Sequence, residues 1–213
     1  MNVAAPHKRI IDLATWPRRE HFEFFSAFEE PYYGVTVAID CTAAYTCVKQ
    51  HGISFHFYCV YQSLAAAQHI EAFRTRVEDA QVVVYDRIDA GAVIDRPDGT
   101  FGYGHIPFSQ DLNHFLRDAA TVSTEIRSTT GLPRTSANFL IRYSTLPWID
   151  FTALSHARAF SRQDTCPRIT FGKMTEHAGT RSLPVSIHVS HAVCDGLQLG
   201  QYVEALQQAM NSR

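Results

Sequence analysis

Between residues 183 and 190 the apolar side chains Leu183, Val185, Ile187 and Val189 alternate with Pro184, Ser186, His188 and Ser190. That period of two predicts a strand with one buried face. Beyond Gly196 the apolar positions fall at Leu199, Tyr202, Val203 and Leu206, the stripe of an amphipathic helix. The same reading places strands over 35–39, 81–85, 91–95, 139–144, 149–153, 168–174 and 183–189. Helices are predicted over 42–50, with Thr42 as the cap, over 55–67 and over 110–126. In the second helix Phe55, Tyr58, Cys59, Gln62 and Ala66 trace one face, and Phe57, Val60, Tyr61 and Leu64 another, so deep burial is expected. In the third, Leu112, Phe115, Leu116, Ala119 and Val122 form the stripe. Pro97, Asp98 and Gly99 read as a turn. Strands and helices intermix without a strict strand–helix–strand rhythm, which points to an α/β fold with a mixed sheet.

Composition narrows the function classes. A chain of 213 residues suits one domain spanning 1–213, and 46% hydrophobic with 19% charged residues is the balance of an ordinary globule. A net charge of −2 offers no basic face for nucleic acid, and no apolar run approaches bilayer length. Residues 1–12 carry no continuous apolar stretch of a secretory signal, so a cytoplasmic location is expected. The five cysteines, Cys41, Cys47, Cys59, Cys166 and Cys194, are odd in number and contain no CxxC pair, which argues against a disulfide framework or zinc site. Eleven histidines show no ligand-like pairing on one helix or strand face, so metal catalysis is not expected.

The chemistry-bearing segment is His191, Asp195 and Gly196, where the predicted strand gives way to the predicted helix. An imidazole titrates near neutral pH and can take a proton and return it, which suits a general base. Asp195 stands where a carboxylate caps free helix N–H groups or holds a cation. The bland alternative is a hydrogen-bonded core histidine followed by an ordinary turn and cap. Cys194 lies close enough in sequence to be weighed as a nucleophile, but most free cysteines are small buried hydrophobes.

The segment 15–25, the strand from Val35, Tyr85 and Asp86, Thr100 and Phe101, 144–148, 169–173 and 191–196 occur in an order and spacing that resemble the trimeric, acetyl-CoA-dependent chloramphenicol acetyltransferases. The resemblance covers essentially the whole chain. It implies a two-layer sandwich with a mixed β-sheet, the CoA-dependent acyltransferase fold. It also implies His191 as base, Ser144 as oxyanion donor and Thr170 holding a water against the transition state. Asp195 would be a structural carboxylate paired with Arg18. Phe24, Phe25, Tyr33 and Phe101 would bind the acceptor, and Lys173 the coenzyme. The partners implied are acetyl-CoA as co-substrate with no bound cofactor, chloramphenicol as acceptor, and two further copies in a homotrimer with interfacial active sites.

Departures from the family pattern are also legible. Ser190 replaces the first of two adjacent histidines. Residues 54–57 lack a lysine that could meet a coenzyme phosphate, and Met174 replaces an aromatic suited to stacking on adenine. Glu29, Arg142, His156 and Arg168 occupy positions that are commonly apolar or uncharged in family pockets, and Arg142 shares strand parity with Ser144. Chloramphenicol O-acetylation is the leading expectation. The alternatives are O-acetylation of a more polar hydroxyl compound, a dihydrolipoamide acyltransferase core, which would be expected to bring lipoyl and linker segments, and an inert trimer that sequesters a ligand.

Overall fold

The computed structural model describes residues 4–132, 137–159 and 164–212. Its elements run β1 (Lys8–Ile10), α1 (Arg19–Ser26), β2 (Tyr32–Asp40), α2 (Thr42–His51), α3 (Phe55–Gln68), α4 (Glu71–Arg74), β3 (Thr75–Glu78) and β4 (Gln81–Tyr85). They continue β5 (Asp89–Asp95), β6 (Phe101–Ile106), α5 (Leu112–Arg127), β7 (Leu140–Thr145), β8 (Arg168–Phe171), β9 (Thr175–His177), β10 (Thr180–Ser190) and α6 (Gly196–Asn211). Six strands of the larger sheet run in the order β2-β10-β8-β7-β5-β6, and β9 extends it by pairing with β10. The β8–β7 and β7–β5 pairs are parallel and the others antiparallel, so the sheet is mixed as the sequence predicts. A smaller sheet has the order β1-β4-β3.

Alternation along the central strands divides this sheet into two faces. Ile141 and Tyr143 of β7, Ile169 and Phe171 of β8, and Val185, Ile187 and Val189 of β10 share the apolar core with Leu64 of α3, Phe115 of α5 and Leu199, Tyr202 and Leu206 of α6. Two tyrosine hydroxyls enter that core and need partners. Ser63 meets both, bonding Tyr143 Oη at 3.0 Å and also contacting Tyr202 Oη. The opposite face is polar and carries Ser144, Thr170 and Ser186.

Helix starts follow the capping residues. Ser54 Oγ accepts from Phe57 N at 3.4 Å to open α3, and Asp111 accepts from Asn113 N at 2.8 Å to open α5, two residues later than periodicity alone predicts. Asp195 opens α6 in a capping box with Gln198, whose Oε1 accepts from Asp195 N at 3.1 Å. Three expectations are corrected. Thr42 is not the cap of α2, which starts at Thr42 with Cys41 before it; the Thr42 hydroxyl oxygen instead accepts from Arg181 N at 2.8 Å. Residues 149–153 form no strand, because Ile149 N turns back to Leu146 O at 3.1 Å. The strand at 168 ends with Phe171, where Gly172 lies so close to Pro184 and Phe151 that an added Cβ would sit 2.6 and 2.9 Å from them.

Candidate active site

His191 is the first residue past β10. Its amide donates to Pro31 O at 2.7 Å, continuing the pairing with the chain entering β2. The imidazole stacks on Phe25 of α1 with ring centroids 3.9 Å apart and an interplanar angle of 4°, and the Tyr33 ring lies 4.6 Å away. Two of the four sequence-predicted acceptor residues therefore touch the histidine. Phe24 shares α1 but is 61% exposed, and its ring meets only Phe25 and Phe28 among the described residues. The Nδ1 atom of His191 is buried with no hydrogen-bond partner among the described residues.

The turn after His191 is tied down from outside. Asp195 Oδ1 accepts from Leu197 N at 3.1 Å, while Oδ2 takes a short charge-assisted hydrogen bond from Arg18 Nη1. Arg18 Nη2 also reaches the carbonyl of His191 at 3.4 Å, so one guanidinium spans both ends of the 191–195 turn. No bond between the Asp195 carboxylate and the imidazole occurs among the described residues. Burial raises the Asp195 carboxyl's pKa, but the Arg18 bond and the helix amides outweigh it and leave it lowered. Cys194 is buried, and burial with Asp195 beside it pushes its thiol up to about 12, so it stays protonated near neutral pH.

Arg18→Ala and Asp195→Ala are each expected to lower stability, with a coupling of about 1 to 3 kcal/mol in a double-mutant cycle. Because the folded carboxyl has the lower pKa, the pair's stabilisation is present above the unfolded value. It fades as pH falls through the folded one. Urea melts of wild type and Asp195→Asn should therefore converge in acid; zero coupling at neutral pH would refute the pair.

Ser144 lies elsewhere on the sheet. Strand register aligns Ser144 of β7 with Thr170 of β8, Thr170 with Ser186 of β10, and Ser186 with Thr36 of β2. Four hydroxyls thus cross the polar face in one row. Thr170 Oγ1 and Ser186 Oγ are buried without a partner among the described residues. Ser186 was not singled out from sequence: its strand parity was legible, but its register against Thr170 is a long-range fact. From Ser186 the chain runs five residues to His191, and two strand spacings separate Ser186 from Ser144. Strand geometry then puts Ser144 and His191 about 15–20 Å apart within one chain. A single copy does not bring them together.

A second row lies two residues along the same face: Arg142, Arg168, His188 and Gly34. Residues 154–158 pack over part of it. Leu154 O accepts from His188 Nε2 at 3.0 Å, the His156 and His188 rings meet edge to face at 4.9 Å, and Ala157 O accepts from Arg168 Nη1 at 2.7 Å. Burial, then His188 and Arg168, bring His156 down to about 4, so it is neutral near pH 7. Asp164 Oδ2 accepts from Arg168 Nη2 at 2.8 Å and lies 3.9 Å from Arg142 Nε. Arg158 pairs with Glu30 and lies over the Tyr32 ring, 3.5 Å from its centroid. Glu29 is exposed.

Phe101 is on β6, at the far edge of the sheet from β2, and is 43% exposed. It shares the face of Ser144 but lies away from His191. Lys173 is exposed just past β8, its amide donating to Ile149 O at 2.8 Å. Ser54, which stands where the family lysine would, caps α3, and His56 bonds Thr145 Oγ1 at 2.8 Å through Nδ1, with burial bringing it down to about 4.

The family profile described as Chloramphenicol acetyltransferase matches residues 7–207. The chain is 30% identical over 205 residues to a chloramphenicol acetyltransferase of Proteus mirabilis, covering 93% of each. It is 29% identical over 206 residues to chloramphenicol acetyltransferase 3 of Escherichia coli, covering 95% of this chain and 96% of that one. A solved chloramphenicol acetyltransferase structure superposes with a TM-score of 0.88 at 27% identity, over 96% of this chain and all of that one. A probable dihydrolipoamide acetyltransferase of Listeria monocytogenes shares the fold at a TM-score of 0.65 and 12% identity, over 95% of this chain and 94% of that one.

Proposed function

From the premise that the chain belongs to the chloramphenicol acetyltransferase family, an acyltransferase family with the CoA-dependent acyltransferase fold, we propose that it transfers the acetyl group of acetyl-CoA to the primary hydroxyl of chloramphenicol. The observation that carries the reading is the family match over residues 7–207, which includes His191, Ser144 and Thr170. In the proposed step His191 removes the hydroxyl proton as the oxygen attacks the thioester carbonyl. The Ser144 hydroxyl donates to the oxyanion that forms, a charge absent from the ground state. Thr170, buried beside it, holds a water against the same intermediate. Collapse breaks the carbon–sulfur bond, and the proton held by His191 passes to the CoA thiolate.

The functional unit in this reading is a homotrimer. The separation of Ser144 from His191 within one chain supports it, since the base of one subunit then serves the hydroxyl row of its neighbour. Phe25 and Tyr33 form the acceptor wall on the histidine side, with Phe24 exposed beside them. Phe101 forms a wall on the serine side. Lys173, exposed past β8, meets a coenzyme phosphate. No described helix is long and apolar enough to cross a membrane, and we assign the enzyme to the cytoplasm, where acetyl-CoA is available.

Release of free thiol from acetyl-CoA should depend on added chloramphenicol. Thiol release that ignores the acceptor would overturn the reading. In the same assay Ser144→Ala should lower kcat about 10²-fold or more with little change in either KM. A change confined to KM would make Ser144 a substrate-holding group only.

A further inference from the structure

The two rows on the polar face differ in how their side chains are satisfied. Arg168 is spent on Asp164 Oδ2 and Ala157 O, and Arg158 on Glu30. His188 lies flat against Gly34, where an added Cβ would fall 2.5 Å from Nε2, and bonds Leu154 O. Arg142 is paired more loosely: it shares Asp164 with Arg168, and although burial lowers its pKa, Cys166, Asp164 and Tyr32 outweigh that and leave it raised. Among the described residues its nearest carboxylate oxygen is Asp164 Oδ2, 3.9 Å from Nε and already bonded to Arg168. Its Nε is buried without a hydrogen-bond partner, yet the side chain as a whole is 41% exposed. It therefore stays partly open to solvent on the polar face, in the strand row of Gly91 and His105.

Arg142 and Ser144 point to the same side of β7, with α-carbons about 7 Å apart. An acceptor seated with its reacting hydroxyl near Ser144 and extending along this face toward Arg142 covers the guanidinium and strips its water. Covering it with hydrocarbon leaves the cation only a carboxylate that it shares with Arg168, 3.9 Å from Nε, which is costly. A planar group with two acceptor oxygens removes that cost, because a guanidinium presents parallel N–H donors in matching geometry. We propose that Arg142 is an acceptor-recognition residue that binds a nitro or carboxylate group at the end of the acceptor remote from the reacting hydroxyl. The inference rests on the acetyl-transfer reading above and adds to it a determinant of substrate class. Arg142 acts on specificity, not on the proton transfer.

The test compares kcat/KM for chloramphenicol, for the analogue whose aryl nitro group is replaced by hydrogen, and for the analogue carrying a carboxylate there. Wild type should favour the nitro acceptor over the hydrogen analogue about tenfold or more, the worth of a hydrogen bond to a charged group. In Arg142→Met that ratio should approach one. Arg142→Lys, which keeps the charge but not the fork, should retain preference for the carboxylate more than for the nitro group. The relative rates of the two oxygen-bearing acceptors on wild type identify which group the site prefers. A wild-type nitro-to-hydrogen ratio near or below one overturns the proposal without any variant, and so does a ratio that Arg142→Met leaves unchanged. Turnover of none of the three acceptors by wild type overturns the acetyl-transfer reading, and this inference with it.

Discussion

His191→Ala should reduce acetyl transfer by at least about 10² to 10⁴ while leaving the fold intact, because a positioned base is the one contribution the methyl group cannot replace. The local structure makes the separation of chemistry from stability plausible. The bond that anchors position 191, from its amide to Pro31 O, belongs to the backbone and survives the substitution. So does the carbonyl that Arg18 reaches at 3.4 Å. What is lost is the stack on Phe25 and the partly buried ring, a packing change that thermal melting will register as modest. The Cys194 thiol close by cannot take over, since it is held up to about 12 and stays protonated. Retention of more than about a tenth of wild-type turnover, against the usual loss on removing a base, would take His191 out of the mechanism.

Much of this site was legible before any coordinates. The alternation through Val185, Ile187 and Val189, followed by the stripe from Leu199 to Leu206, fixes a strand, a turn and a helix around His191. Both signals are local and strongly periodic. The Arg18–Asp195 contact came from the family pattern, and the two side chains do meet. Other features were hidden because they depend on register or on weak local signal. β6 alternates Phe101, Tyr103 and His105 with Gly102 and Gly104. Its glycines hide the apolar period, and they are there because α5 packs onto them, with an added Cβ at Gly104 falling 2.5 Å from Val122. α1 lies in the segment that carries the family resemblance, without a helix being predicted there. It turns out to be an eight-residue helix with Phe22 buried and Phe25 turned onto His191. The unequal fates of Arg142, Arg158 and Arg168 follow from where Asp164 and Glu30 arrive, and chain spacing says nothing about that.

Two inactive variants should make an active enzyme. Ser144 and His191 stand about 15–20 Å apart in one chain by strand geometry, so the proposed site draws the base from one subunit and the oxyanion donor from the next. Take His191→Ala and Ser144→Ala proteins, each nearly inactive as a homotrimer, unfold them, mix them in equal amounts and refold. At every interface the histidine side is intact in half of the cases and the serine side in half, independently. About a quarter of the interfaces then carry both groups, and activity should return to roughly a quarter of that of wild type refolded alongside. The size of the recovery carries the meaning, since a quarter follows from statistics and trace activity does not. Mixing without unfolding should give far less, because subunits exchange only as fast as the assembly opens. If both groups acted within one subunit, every chain in the mixture would lack one of them and nothing would return, whatever the oligomeric state. A monomer by sedimentation that still consumes acetyl-CoA would likewise end the shared-site reading, while leaving the chemistry proposed for His191 standing.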